Sequence, residues 1–250
     1  MGGSGWPFKG GGPIDTDPGS DDDDGPAPPG PSTAVTDELT LRKDIVAQGA
    51  KLAASGLSQG TSGNLSIRCG PGFLITPCGT PYEAITPESV VLVDLDGHWD
   101  PGLRPSSEWR FHRDIYAARA DIQAVVHVHP PYSTALAMCR MAIPAAHYMI
   151  AVGGGDSIRC ADYHTYGTQA LSDAVVQALE GRLACLMANH GMIATGTSMA
   201  QAMWRAVEVE TLARQYALAL QVGTPVRLTE DEVTQVLEKF ASYGLMAPRP

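Results

Sequence analysis

The segment that most constrains this chain is Ala-Val-Val-His-Val-His-Pro-Pro, residues 124–131. Val125, Val126 and Val128 are β-branched and close together, so Ala124–Val128 reads as a buried strand. Pro130 and Pro131 end it, because proline brings no N–H to a ladder. Side chains alternate along a strand, so His127 and His129 point the same way. Two alternate histidines also fit ordinary polar positions. Here, however, they stand at the end of a buried strand, where a cleft can form. A third histidine, His190, lies in Asn189-His190-Gly191, just past another expected strand at 184–188. Three imidazoles suit a tetrahedral Zn²⁺ with one position open to substrate.

The rest of the chain supplies helices and strands in mixed order. Leu41, Ile45, Gly49 and Leu52 recur at helical spacing, and Gly56 supplies a stop. Strands are expected at 65–68, 73–75 and 90–93, with a turn at Asp96-Gly97. Ser106 or Ser107 is expected to cap a helix running to about Ala118. Further helices are expected at about 132–140, 168–179 and 198–221. Thr229-x-x-Glu232 opens the last one as a capping box. Strands are also expected at 184–188 and 193–194. The class is therefore α/β. No dinucleotide-binding glycine fingerprint or Walker A sequence occurs, and nothing indicates a Rossmann-type crossover series.

Residues 1–34 differ from the remainder. Of 27 Gly and 19 Pro in the chain, sixteen fall there, beside the run Asp21–Asp24. Such a stretch cannot bury a core, and the expectation is a disordered acidic leader followed by one domain over 35–250. Lys+Arg 17 against Asp+Glu 27 gives a net charge of −10. Without a basic stripe, nucleic acid is not an expected partner. No apolar run approaches the ~18–20 residues that cross a bilayer, so no membrane partner is expected either. Five cysteines without a C-x-x-C pair fit free thiols in a reducing, cytoplasmic setting.

Several short motifs could carry chemistry. Residues 56–68, GLSQGTSGNLSIR, place three glycines among Ser, Thr and Asn. Such a loop can bring backbone N–H groups close to an anion, and Asn64 can add its amide. Thr76-Pro77-Cys78-Gly79 is a second small-residue turn. Ser106 and Ser107 offer hydroxyls at a helix N-terminus, for anion binding or for capping alone. Glu108 suits a macrodipole partner, or a general base if it faces the histidines. Tyr148 and Tyr243 fit packed aromatics with satisfied hydroxyls. His98, His112 and His164 read as structural or solvated.

Taken together, these segments resemble the class II aldolase family. The resemblance rests on GLSQGTSGNLSIR (56–68), ITPCGTPYEAIT (75–86), PSSEWRFH (105–112), VVHVHP (125–130), IPAAHYMIA (143–151), ANHGMIATG (188–196) and LEKFASYG (237–244). They occur in family order over nearly all of 40–244, and the nearest branch acts on L-fuculose 1-phosphate. The resemblance implies a three-layer α/β/α fold with a central, mainly antiparallel sheet. It implies a homotetramer with active sites between subunits. It assigns His127, His129 and His190 as Zn²⁺ ligands, and Glu108 as acid/base and ligand of the empty site. Gly63, Asn64, Gly79, Ser106 and Ser107 match the substrate-phosphate pocket. Tyr148 matches a tyrosine donated across a subunit boundary, and Tyr243 one that closes over the site.

The implied reaction is reversible cleavage of a phosphorylated sugar, a ketose 1-phosphate, to dihydroxyacetone phosphate and an aldehyde. Three positions depart from the L-fuculose 1-phosphate pattern: Cys78 for Thr, Tyr166 for Phe and Asp162 for Pro. The first two make 5-methylthioribulose 1-phosphate or a related 5-deoxypentulose phosphate an alternative substrate. A 4-epimerase branch ranks lower, because its pattern has Asp where Glu108 stands. A non-catalytic adducin-like interaction module would not need the complete set of His127, His129, His190 and Glu108.

Overall fold

The structure is a computed structural model and describes residues 37–240. The expected leader and Tyr243 lie outside the described residues. Helix α1 (Glu38–Ser55) ends at Gly56, which takes the left-handed conformation at φ 74°. Strands β1 (Asn64–Cys69), β2 (Gly72–Ile75) and β3 (Val91–Asp94) follow, then α2 (Trp109–Ala118) and β4 (Ala124–Val128). Next come α3 (Pro131–Met138), β5 (Ile143–Pro144), β6 (Ser157–Ala161) and α4 (Gln169–Ala178). Strands β7 (Ala184–Met187) and β8 (Gly191–Gly196) precede α5 (Met199–Val222) and α6 (Glu230–Phe240).

The strands form one eight-stranded sheet in the order β3-β2-β1-β4-β8-β7-β6-β5. Every neighbouring pair is antiparallel except β6–β7, whose parallel pairing is bridged by α4. A single βαβ unit inside a mainly antiparallel sheet agrees with the absence of a Rossmann series. Alternation divides the apolar side chains into two cores. Leu65, Val126, Val128 and Met192 pack with Ile45, Leu136, Val209 and Val233 from α1, α3, α5 and α6. Phe73, Val125 and Ile193 pack with Phe111, Ile115, Leu171 and Val175 from α2 and α4. The architecture is thus three layers, helix–sheet–helix. His127 follows Val125 by two residues and so faces α2, where its ring meets Phe111 edge-on at 5.3 Å.

The structure alters several expectations. Neither Ser106 nor Ser107 caps α2: Glu108 is the N-cap residue, and no side chain caps the helix. The Ser106 hydroxyl instead accepts from the Glu108 N–H at 3.3 Å. Glu108 therefore stands just before the first turn rather than in it. Helix α3 stops at Met138, and Arg140 turns left-handed at φ 53°. Its N-terminus is capped from a distance by the Glu210 carboxylate on α5, which accepts from Tyr132 N, Ser133 N and Ser133 Oγ. Strands β5 and β6 were not expected; Ser-Ile-Arg-Cys-Ala is too short and too polar to announce a strand. The expected capping box is present, with Thr229 N donating to Glu232 Oε2 at 2.8 Å and Glu232 N donating back to Thr229 Oγ1 at 3.3 Å.

Candidate active site

Two adjacent strands bring the histidines together. β4 ends at Val128, and the turn between β7 and β8 stands beside that end because Val128 pairs with Met192. His127 and His129 project from the strand end, and His190 from the turn. The three ring centroids lie 4.7 to 4.9 Å apart. Asn189, just before His190, takes φ 54°, a conformation that asparagine tolerates better than most residues. Gly191 must be glycine: a Cβ there would sit 2.5 Å from His129 Cδ2 and 2.6 Å from the Val128 carbonyl.

Glu108 enters this group from the start of α2. Its Oε2 lies 3.2 Å from His127 Nε2, and its Oε1 lies 3.1 Å from His190 Nε2. Burial works to raise the Glu108 carboxyl pKa, but the His127 and His190 imidazoles beside it prevail and hold it well below the usual range. His129 is pushed down to about 3, first by burial and then by the neighbouring imidazoles. His127 Nδ1 lies 3.0 Å from the Met192 carbonyl. A carbonyl only accepts, so Nδ1 donates to it and Nε2 is the nitrogen that faces the cluster.

These residues fit a metal ion. Glu108 Oε1 is buried, and its 3.1 Å contact with His190 Nε2 lacks hydrogen-bond geometry. His127 Nε2 and His129 Nε2 face each other at 2.9 Å, and nitrogen atoms of all three imidazoles lie within 4.8 Å of one another. A cation between them would satisfy both the orphaned oxygen and the convergent lone pairs.

The cluster opens on a cleft of about 320 Å³. Gly63, Asn64, Gly79, Ser106, Ser107 and Glu108 all line it, together with His129 and His190. Its surface combines hydroxyls, loop backbone and the N-terminus of α2, a combination suited to an anion. Gly63 sits at φ 80°, where a Cβ would meet the His127 carbonyl at 2.6 Å. The loop is tied from behind: Tyr82 OH donates to the Ser62 carbonyl at 3.3 Å. Gly49 on α1 leaves room for that ring, since a Cβ there would be 2.9 Å from Tyr82 Cδ1.

The outer rim carries Tyr163, His164 and Tyr166, with both tyrosines exposed. This segment is clamped onto α2, as Arg110 donates to the Gly167 carbonyl at 2.9 Å. Tyr148 does not line the cleft; it stands half-exposed on a 3-10 turn and packs on His147. His112, read as structural or solvated, is wholly buried and meets the Asn64 amide. Sequence reasoning did not single out Ser66, Tyr82, Tyr116 or Tyr163. Ser66 lies two residues beyond Asn64 on the same strand face, and Tyr116 four beyond His112 on one helix stripe. Those spacings were the available signal.

The family described as Class II Aldolase and Adducin N-terminal domain matches residues 43–217. The chain belongs to this family. It is similar to a Rhodospirillum rubrum protein named 5-methylthioribulose-1-phosphate/5-deoxyribulose-1-phosphate aldolase. The two are 49% identical over 212 residues, 85% of this chain and 96% of the relative. It is 46% identical to an Escherichia coli L-fuculose phosphate aldolase over 206 residues, 82% of this chain and 96% of that one. Among solved structures, an L-fuculose 1-phosphate aldolase superposes with a TM-score of 0.78 at 40% identity, covering 80% of this chain and 95% of that chain. The protein is an aldolase, a lyase of carbohydrate metabolism, on the three-layer fold the resemblance implied. No described helix of this aldolase is long and apolar enough to cross a membrane.

Proposed function

We propose that this aldolase reversibly cleaves the C3–C4 bond of a ketose 1-phosphate, giving dihydroxyacetone phosphate and an aldehyde. The observation that carries the reading is the placement of a buried carboxylate among three converging imidazoles at the edge of an anion-suited cleft. His127, His129 and His190 would hold the metal, and their all-imidazole donor set with an open side favours zinc. When bound, the ion supplies Lewis-acid stabilisation of the negative charge that develops on the ketose oxygens.

The chain's own residues supply the rest. Asn64, Ser106, Ser107 and the backbone at Gly63 and Gly79 would hold the phosphate. That contact fixes the substrate and turns remote binding energy into alignment. Glu108 would move the proton at C3 of the dihydroxyacetone-phosphate half. The two imidazoles beside it keep it ionised. Tyr148, supplied by a neighbouring subunit, would handle the proton at the aldehyde oxygen, and Tyr243 would close over the site. The working form on this reading is a cytoplasmic homotetramer; a monomer by light scattering would remove the role given to Tyr148.

A second substrate has specific support. The chain is 49% identical to the Rhodospirillum rubrum methylthioribulose-phosphate enzyme and 46% to the Escherichia coli fuculose-phosphate enzyme. The cleft also presents Tyr163 and Tyr166, aromatic surface suited to a thioether or methyl end, and Cys78 lies on its wall. The test is dihydroxyacetone phosphate release from both substrates in parallel, followed by a coupled dehydrogenase, with chelator and then zinc add-back. Zinc-restored release from either supports the reaction, and the faster substrate names the aldehyde. No release from either by zinc-loaded protein refutes it.

A further inference from the structure

A file of buried polar side chains runs away from the cleft behind Glu108. Asn64 Nδ2 donates to Glu108 Oε2 at 3.0 Å. Asn64 Oδ1 meets His112 Nε2. His112 Nδ1 lies 2.6 Å from Ser66 Oγ, which lies 2.8 Å from Tyr116 OH. Asn64 and Ser66 share one face of β1, His112 and Tyr116 share one stripe of α2, and Glu108 is the N-cap residue of that helix. All five are buried, His112 and Ser66 completely.

Elementary donor and acceptor rules give this file one direction. The carboxylate only accepts, so Asn64 turns its NH₂ toward Glu108 and its oxygen toward His112. That oxygen only accepts, so His112 Nε2 carries a hydrogen. Burial lowers the His112 pKa to about 3, so the ring is neutral and its Nδ1 is a lone pair. Ser66 therefore donates to Nδ1 and accepts from Tyr116, whose hydroxyl burial keeps protonated. Every hydrogen in the file points toward Glu108.

We propose that His112 is a positioning residue, which locks the Asn64 amide so that its NH₂ group faces the cleft. There one N–H holds the Glu108 carboxylate, and the second is available to the substrate phosphate. This inference rests on the aldolase reading. An amide is nearly symmetric in shape, so only its partners decide which end faces which way. Without the His112 donor the amide is free to rotate and set its oxygen against the carboxylate, acceptor against acceptor.

The test compares His112→Phe, which keeps the ring volume, with His112→Gln, whose amide N–H stands near the lost Nε2–H. His112→Phe should raise the KM for the ketose 1-phosphate and the inhibition constant of inorganic phosphate, with kcat/KM down about 10–100-fold. His112→Gln should recover most of that loss, and metal content per chain should stay at the wild-type value in both. Wild-type kcat/KM and phosphate inhibition in His112→Phe would overturn the proposal. So would equal loss in the two variants, which marks a merely structural role. Nitrogen-15 NMR of histidine-labelled wild type supplies a readout that needs no variant to fold. It should show His112 neutral and protonated on Nε2 at pH ~5.5, a unit below the ordinary imidazole value. An Nδ1–H tautomer, which leaves Nε2 without a hydrogen, would overturn the proposal even where His112→Phe fails to fold. If wild type cleaves neither substrate, the aldolase reading fails, while phosphate binding by calorimetry and the NMR still decide the role of His112.

Discussion

Among the described residues, two places gather three metal-ligand side chains within 4.8 Å: His127, His129 and His190, and Asp94, Asp96 and His98. By residue type and spacing alone the two are comparable. Their surroundings separate them. In the second group His98 N and Nδ1 both contact the Asp94 carboxylate, at 2.8 and 3.0 Å. Gly97 turns at φ 89° between them. Those bonds close a hairpin turn and engage the Asp94 carboxylate and His98 Nδ1. The hydrogen bonds from His98 also pull the Asp94 carboxyl below its usual pKa, as any well-capped turn does. In the first group the partners lie on separate elements, and the bonds that exist aim ring nitrogens inward. His127 spends its Nδ1–H on a carbonyl, and Glu108 Oε1 is left buried without a hydrogen bond. A site differs from a coincidence in having unsatisfied, pre-aimed atoms held by the rest of the fold.

Substitutions can break this contrast, and the largest effect belongs to His127. His127→Ala should abolish both bound metal and dihydroxyacetone phosphate release, read by elemental analysis and the coupled assay on one preparation. Glu108→Gln should keep the metal but lower turnover by about 10²–10⁴-fold, the usual contribution of a positioned acid/base. Unchanged turnover would remove Glu108 from the chemistry. Gly191→Ala forces a methyl against the His129 ring and the Val128 carbonyl. It should weaken metal binding by about 10–100-fold, measured by chelator competition, as shifts of supporting groups do at other metal centres.

A smaller effect is expected in the stability of metal-free protein. His112 and His129 have native pKa values of about 3 and ordinary values when unfolded. Between about pH 6.5 and 3 the unfolded chain binds more protons. Stability should be full above about 6.5 and fall as the pH drops through that window. Urea midpoints that stay level from pH 7 to 5 would contradict neutral buried rings. The smallest effect belongs to the exposed turn. His98→Ala should leave metal content and activity unchanged and shift stability by no more than about 0.5 kcal/mol. A loss of metal in that variant would erase the contrast.

How much of this was legible in the sequence depended on how local the signal was. β4 and its two histidines were readable because period-two alternation and Pro-Pro settle within eight residues. The capping box of α6 was readable because Thr229 and Glu232 satisfy each other. The cap of α2 was not, since Ser106, Ser107 and Glu108 are consecutive and each can serve; the Ser106 contact with Glu108 N decided it. His190 and Glu108 could be offered as candidates from their own segments, but the sequence around them does not show that they meet the strand histidines; the pairing of β8 with β4 and the start of α2 bring them there. The file behind Glu108 was illegible for the same reason. Asn64 and His112 lie on different elements, 48 residues apart. Lone histidines on helices are ordinarily unremarkable, and only the crossing of β1 by α2 gives this one a partner.

The most direct test of the central claim is a crystal of the zinc-loaded protein, measured for anomalous scattering on both sides of the zinc absorption edge. The account predicts one strong peak per chain within bonding distance of His127, His129 and His190, and none at Asp94, Asp96 and His98. A catalytically active crystal with no peak among the three imidazoles, or with its peak at the exposed turn, would contradict it.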